Sequence, residues 1–145
     1  LPTSKKPERL VADANPILAA LLGGAARRVF FESGVREFAV PEKVIEEVRA
    51  HVPALARKLG LNAAFLDYSL DLLPLIRYAR QAYRQNIPEA KRLIEHRDPD
   101  DVDVLALTLR LGIPLWSNDR DFEEVDVETF TTAHLLSLFF GKSTL

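Results

Sequence analysis

Cysteine and methionine are both absent from the 145 residues. Without cysteine there are no disulfides, no thiolate zinc ligands and no cysteine nucleophile. A cysteine-free chain suits a reducing compartment, and the cytoplasm is the expected location. No apolar run approaches the roughly 20 residues that a membrane-spanning helix needs. The longest runs, such as residues 17–22, are a few residues long, so no membrane partner is expected. The N-terminus, Leu-Pro-Thr-Ser-Lys-Lys-Pro, has no apolar core behind its lysines and does not read as a signal peptide. Residues 1–8 read as a flexible leader and 9–145 as one domain, with no repeat, low-complexity tract or linker. A surplus of positive charge is missing too. The net charge is −2, so the chain is not a globally basic nucleic-acid binder. Acids gathered around metal ions would leave the remaining surface more basic than that total. The histidines, His51, His96 and His134, are scattered without metal-ligand spacing.

What is present is an alternation of strand and helix signals over the length of an ordinary domain. Residues 9–14 read as a short buried strand ending in an acid. Asn15-Pro16 opens a helix that Gly23-Gly24 stops. A short helix is expected over 25–33 and a second strand over 36–40. Residues 41–59 form a strong helix, with Val44, Ile45, Val48, Val52, Leu55 and Leu59 at helical spacing. Pro53 predicts a kink or break in it. A helix over 62–71, a strand over 72–78 and a helix over 88–96 follow. Pro74 argues against a central place for that strand. Asp98-Pro-Asp-Asp opens a helix over 102–111, where acids complement the dipole. Strands over 113–117 and 125–130 precede a final helix through Phe140, capped by Thr131 or Thr132. This is the three-layer α/β/α pattern, with a mostly parallel sheet of about five short strands.

Ligands of such sheets bind beyond the carboxyl ends of the strands. Asp13 and Asp119 fall at or just past those ends. Asp101 sits in the first turn of a helix and can point at the same crevice. Glu47 lies mid-helix, near the edge of the face that Val44 and Val48 define. Each acid has a plainer reading: Asp13 as an N-cap, Glu47 as a solvated charge, Asp98, Asp100 and Asp101 as dipole partners, and Asp119 and Asp121 as turn formers. Their order and strand-end placement together point further. Crowded carboxylates repel and hold their protons, and a divalent cation with a taste for hard oxygen ligands removes that penalty. Mg²⁺ or Mn²⁺ is the expected cofactor. Phosphodiester hydrolysis is the reaction such a centre serves best.

The block Asp98-Pro-Asp-Asp-Val-Asp-Val-Leu-Ala-Leu-Thr-Leu-Arg-Leu-Gly-Ile-Pro-Leu-Trp-Ser-Asn-Asp-Arg-Asp-Phe resembles a signature of the PIN-domain nucleases. That signature runs from an acid through an apolar helix, a glycine and a strand to Thr/Ser-x-Asp-x-Asp-Phe. Leu-Val-Ala-Asp-Ala-Asn resembles the family's first strand and acid, and Val40-Pro-Glu-Lys-Val-Ile-Glu-Glu-Val its acidic helix. The resemblance runs from about Arg9 to Phe140. It implies that Asp13, Glu47, Asp101 and Asp119 are the catalytic, metal-holding acids, with Asp121 as an accessory ligand. Glu46 is the near alternative to Glu47, and Asp100 and Asp103 are register rivals of Asp101. Asn15 and Ser117 fall where the family has small polar residues supporting the metal or its water. Ser117 stands where threonine is commoner. The implied activity is that of a Mg²⁺/Mn²⁺-dependent endoribonuclease. Many prokaryotic members of this size are VapC-like toxins held by a small antitoxin, and members often dimerise. The stretch 53–89 is longer than in minimal toxins.

RNA is the implied substrate. Arg77, Arg80, Arg84, Lys91, Arg92 and Arg97 cluster with only Glu89 and Glu95 opposing them. Tyr78 and Tyr83 lie among them as candidates for stacking on bases. Against that stands a plainer reading, placed first: a solvated helical surface with its aromatics packed inward. Arg27, Arg28 and Arg120 are further candidates for phosphate contact, Arg120 equally as a charge-balancing partner of the site acids. The apolar final helix, 135–140, is either a core helix or a homodimer interface. The competing class is a PIN-like module that binds RNA or a protein without cutting it. An aspartyl-phosphate phosphatase lacks its second aspartate in Asp13-Ala-Asn15. A receiver domain lacks its phosphoacceptor aspartate and late lysine.

Overall fold

The computed structural model describes residues 5–94 and 98–141. Five parallel strands lie in the order β3-β2-β1-β4-β5. They are β1 (Arg9–Ala12), β2 (Glu37–Pro41), β3 (Leu75–Tyr78), β4 (Leu115–Trp116) and β5 (Thr129–Phe130). In β1, β2 and β4 successive residues are buried, so both faces of the inner sheet are covered. The result is the three-layer α/β/α sandwich expected, with every strand pair parallel. Aromatic packing fixes one face: Phe30, from α2 (Ala26–Glu32), lies 4.8 Å from Phe38 and 4.7 Å from Trp116, centroid to centroid.

The chain moves outward from β1 to β2 to β3, then returns across the sheet to lay β4 on the other side of β1. That reversal leaves a crevice between the carboxyl ends of β1 and β4, the place where ligands of such sheets bind. The outward leg carries α1 (Ala14–Leu21), α2, α3 (Glu42–Leu59) and α4 (Ala63–Leu72). The return leg carries α5 (Ile87–Ile94) and α6 (Val102–Leu111), and α7 (Thr132–Phe140) closes the chain.

Sequence-level expectations hold for the elements and shift at their ends. Pro74 and Pro114 each stand just before a strand, since neither can donate to a ladder at its start. β3 is accordingly shorter than 72–78, and β4 shorter than 113–117. Of the expected kink or break at Pro53, the break is absent: α3 runs through the proline as one helix. Pro53 is exposed, while Val52 and Ala56 on the neighbouring face are buried. Core packing by the buried residues of α3 therefore holds the helix across the proline. Ala56 occupies the core stripe, whereas Leu59, expected there, is 47% exposed. Gly112 ends α6 at φ 64°, a left-handed cap that suits glycine. Two 3-10 turns, Arg80–Ala82 and Arg84–Asn86, follow β3 in a stretch without a local helix or strand signal. The helix expected over 88–96 ends at Ile94, and Glu95, His96 and Arg97 lie outside the described residues. So do residues 1–4 of the expected leader. Of its remainder, Glu8 gives its carbonyl to the Arg36 amide at 2.9 Å and its carboxylate to the Arg36 guanidinium at 3.0 Å.

Candidate active site

The crevice at the strand reversal is a cleft of about 400 Å³, lined by Asp13, Asn15, Glu47, Asp98, Asp100, Asp101 and Asp119 among others. Asp13 follows β1 directly and caps α1, its Oδ1 accepting from the Ala14 amide at 2.8 Å. Its other oxygen accepts from the Ser117 hydroxyl at 2.7 Å. Ser117 follows β4, is 1% exposed, and accepts from the Asp119 amide at 3.0 Å. One hydroxyl thus ties the acid after β1 to the acid after β4. Asp119 in turn accepts from the Asp121 amide at 2.8 Å and caps a 3-10 turn, Arg120–Phe122. Asp98 does the same for Asp100 at 2.9 Å, opening the turn Pro99–Asp101. The N-cap and turn-former readings of these acids are therefore real, and the same three aspartates line the cleft.

Asp98, Asp101, Asp119 and Asp121 each bring a carboxylate oxygen within 4.8 Å of the others. Asp101 is 6% exposed, and its Oδ2 finds no hydrogen-bond partner among the described residues. Burial pushes its carboxyl up to about 8, with Asp13, Asp119, Asp98 and Asp121 adding repulsion. Burial likewise raises Asp13, against the lowering effect of its bonds to Ser117 and Ala14. Glu47 is raised by burial first, then by Asp100. A buried, unpartnered oxygen inside a ring of like charges is costly unless a cation compensates it. The donors are all hard oxygens, and their spacing fits a hard divalent cation. A cluster of four aspartates able to hold a metal is present.

The alternatives in register separate in space. Glu47 lines the cleft, whereas Glu46 lines a different depression with Arg49 and Arg77. Asp101 is in the carboxylate group, Asp100 is an exposed residue of the cleft wall, and Asp103 is engaged elsewhere. Asp103, 2% exposed, accepts the Tyr83 hydroxyl and lies 3.6 Å from Lys43 Nζ and 3.7 Å from Arg80 Nε. Tyr83 is itself 1% exposed, so it is no stacking platform, and the inward packing weighed against that role is what occurs. Tyr78 donates its hydroxyl to Glu37.

Among the described residues, none of the candidate substrate arginines lines the cleft, and Arg97 lies outside them. Arg77 pairs with Asp71 at 3.5 Å, and Arg84 is exposed on its 3-10 turn. Arg120, 91% exposed, pairs with Glu123 at 3.7 Å rather than with the site acids. Arg27 and Arg28 line a separate depression on α2. Two cleft residues that the sequence reading sets aside, one as a scattered histidine and one as a dipole partner, line the site. His51 lies one helical turn beyond Glu47, its Nδ1 2.9 Å from the Glu47 carbonyl. Asp98 lies three residues before Asp101. The i, i+4 and i, i+3 spacings were signals for both.

Among the described residues no helix is long and apolar enough to cross a membrane. A comparison with curated proteins finds no match. The family model for the PIN domain matches residues 11–139, from the middle of β1 to the end of α7. PIN domains are generally nucleases, hydrolases of nucleic acid that use divalent metals. A parallel sheet whose reversal gathers aspartates from both sides, together with that match over most of the chain, gives one conclusion: this chain belongs to the PIN-domain family.

Proposed function

We propose that the chain is a metal-dependent endoribonuclease that hydrolyses phosphodiester bonds in the cleft between β1 and β4. The observation that carries this reading is the unpartnered, buried Oδ2 of Asp101 within a ring of carboxylates. Asp13, Glu47, Asp101 and Asp119 are the ligand set for Mg²⁺ or Mn²⁺, with Asp121 accessory and Asp98 added by its position. The bound cation supplies Lewis-acid polarisation of a phosphate oxygen and lowers the pKa of water. The chain's own work is positional. Ser117 holds Asp13 and Asp119 at fixed separation. Both are further fixed by backbone amides, so neither has to reorganise when a strand enters. Glu47 and His51 face the cleft from α3. With its pKa raised, Glu47 is suited to orient a water by hydrogen bond.

Asp13→Asn and Asp119→Asn are expected to abolish Mn²⁺-dependent cleavage of single-stranded RNA without loss of the folded circular-dichroism spectrum. Undiminished cleavage by both variants would sink the ligand assignment. Wild-type protein that cuts no RNA, and whose melting temperature ignores Mn²⁺, would instead favour the non-cutting binding module. A toxin role and a small antitoxin partner go with the same reading. Their test is growth arrest in a bacterial host on induction of the wild type but not of Asp13→Asn.

A further inference from the structure

Charge changes sign along the carboxyl edge of the sheet. The β1 and β4 ends carry the acids. The β2 and β3 ends carry Lys43, in the first turn of α3, and Arg80, in the first 3-10 turn after β3. Both cations converge on one carboxylate, Asp103, from the first turn of α6. That carboxylate also accepts the Tyr83 hydroxyl. Asp103 alone thus faces two cations, while Glu47, one turn along α3, also lies within electrostatic reach of Lys43. A buried carboxylate needs compensation, but one cation and a hydroxyl supply it. The second cation goes beyond what Asp103 itself needs. Both stay open to solvent: the side chains of Lys43 and Arg80 are 42% and 56% exposed. Arg80 meets Asp103 through Nε, at the base of its guanidinium fork. Lys43 stands one helical turn before Glu47, which lines the cleft, and is close enough to lower the Glu47 carboxyl electrostatically.

We propose that Lys43 and Arg80, tethered by Asp103, form a phosphate-binding flank that holds the sugar–phosphate backbone of an RNA strand next to the nucleotide being cut. The inference rests on the ribonuclease reading above. Asp103 is a positioning residue here: it orders two long side chains before the strand arrives, which reduces the entropy lost on binding. Arg80 offers the planar fork suited to phosphate, and Lys43 a point charge.

The test is binding of a short single-stranded oligouridylate to the full chain, with Ca²⁺ in place of Mn²⁺, across a series of salt concentrations. Arg80→Ala and Lys43→Ala are each expected to weaken binding about fivefold and to reduce the slope of log K against log salt by about 0.7. Arg80→Lys is expected to restore the slope. Arg110→Ala, at the far end of α6, is the control and leaves both quantities unchanged. With Mn²⁺, KM is expected to rise while kcat and the Mn²⁺-induced melting shift stay at wild-type values. Unchanged affinity and slope in both alanine variants overturn the flank and leave the metal site standing. Wild-type protein that shows the Mn²⁺ shift but binds no RNA overturns the flank together with the choice of RNA as substrate.

Discussion

A single carboxyl group decides much of the behaviour of the cleft. Asp101 ionises near 3.8 in an unfolded chain and near 8 in the fold. Between those values the native state holds a proton that the unfolded chain has released. Stability therefore falls as pH rises across the window, and the contribution is gone above the folded value. Asp13 and Glu47, also raised, act in the same direction. Metal-free protein is expected to lose melting temperature from about pH 5 to pH 8, and Asp101→Asn to flatten that slope. Mn²⁺ is expected to restore the wild type most at the alkaline end and the variant little. Identical pH profiles for the two proteins, measured by differential scanning calorimetry, would contradict this account. Ser117 sets a second test at this scale. Ser117→Ala leaves Asp13 without its hydroxyl donor and the Asp119 amide without its acceptor. A loss of about 1–3 kcal/mol is expected in urea unfolding, with weaker Mn²⁺ binding. Ser117→Thr is expected to recover both.

The elements differ in how they are held. α6 is buried on every side from Val102 to Thr108, unlike an ordinary amphipathic surface helix. Leu105→Ala is therefore expected to cost about 2–5 kcal/mol, enough to separate it from any exposed helical substitution. α4 depends instead on its start: the Asn62 side chain accepts from the Phe65 amide at 3.0 Å. Asn62→Ala is expected to cost about 1 kcal/mol and to leave RNA cleavage intact. α4 also turns Phe65 and Tyr68, each 61% exposed, and Leu72, 54% exposed, to the outside. α7 has Leu135 fully buried and its other apolar residues partly covered, with Arg28 stacked 3.8 Å above Phe140. The core-helix reading describes α7 through Leu135, and the dimer reading belongs to a sedimentation measurement. Of the elements, α3 shows where a local rule is overridden: Pro53 does not break the helix, because it is exposed while Val52 and Ala56 pack into the core.

At the scale of the whole molecule, the site is a product of topology. Asp13, Glu47, Asp101 and Asp119 are spread over more than a hundred positions of sequence, yet the strand reversal sets them around one cleft. The amino-acid pattern by itself determined the strand–helix alternation, because periodicity and Gly/Pro punctuation are local. It also determined which acids stand at strand ends, because a buried strand must release its chain at its carboxyl edge. It left Glu46 against Glu47, and Asp100 against Asp101 and Asp103, undecided. Neighbours on a helix point about 100° apart, and the sequence does not say which direction faces the crevice. Only the tertiary structure decided that. It turned Glu47 inward, gave Asp103 to Tyr83, Lys43 and Arg80, and left Asp101 with an oxygen that nothing in the described chain satisfies. The physical reason is that burial and charge crowding depend on packing between elements far apart in sequence.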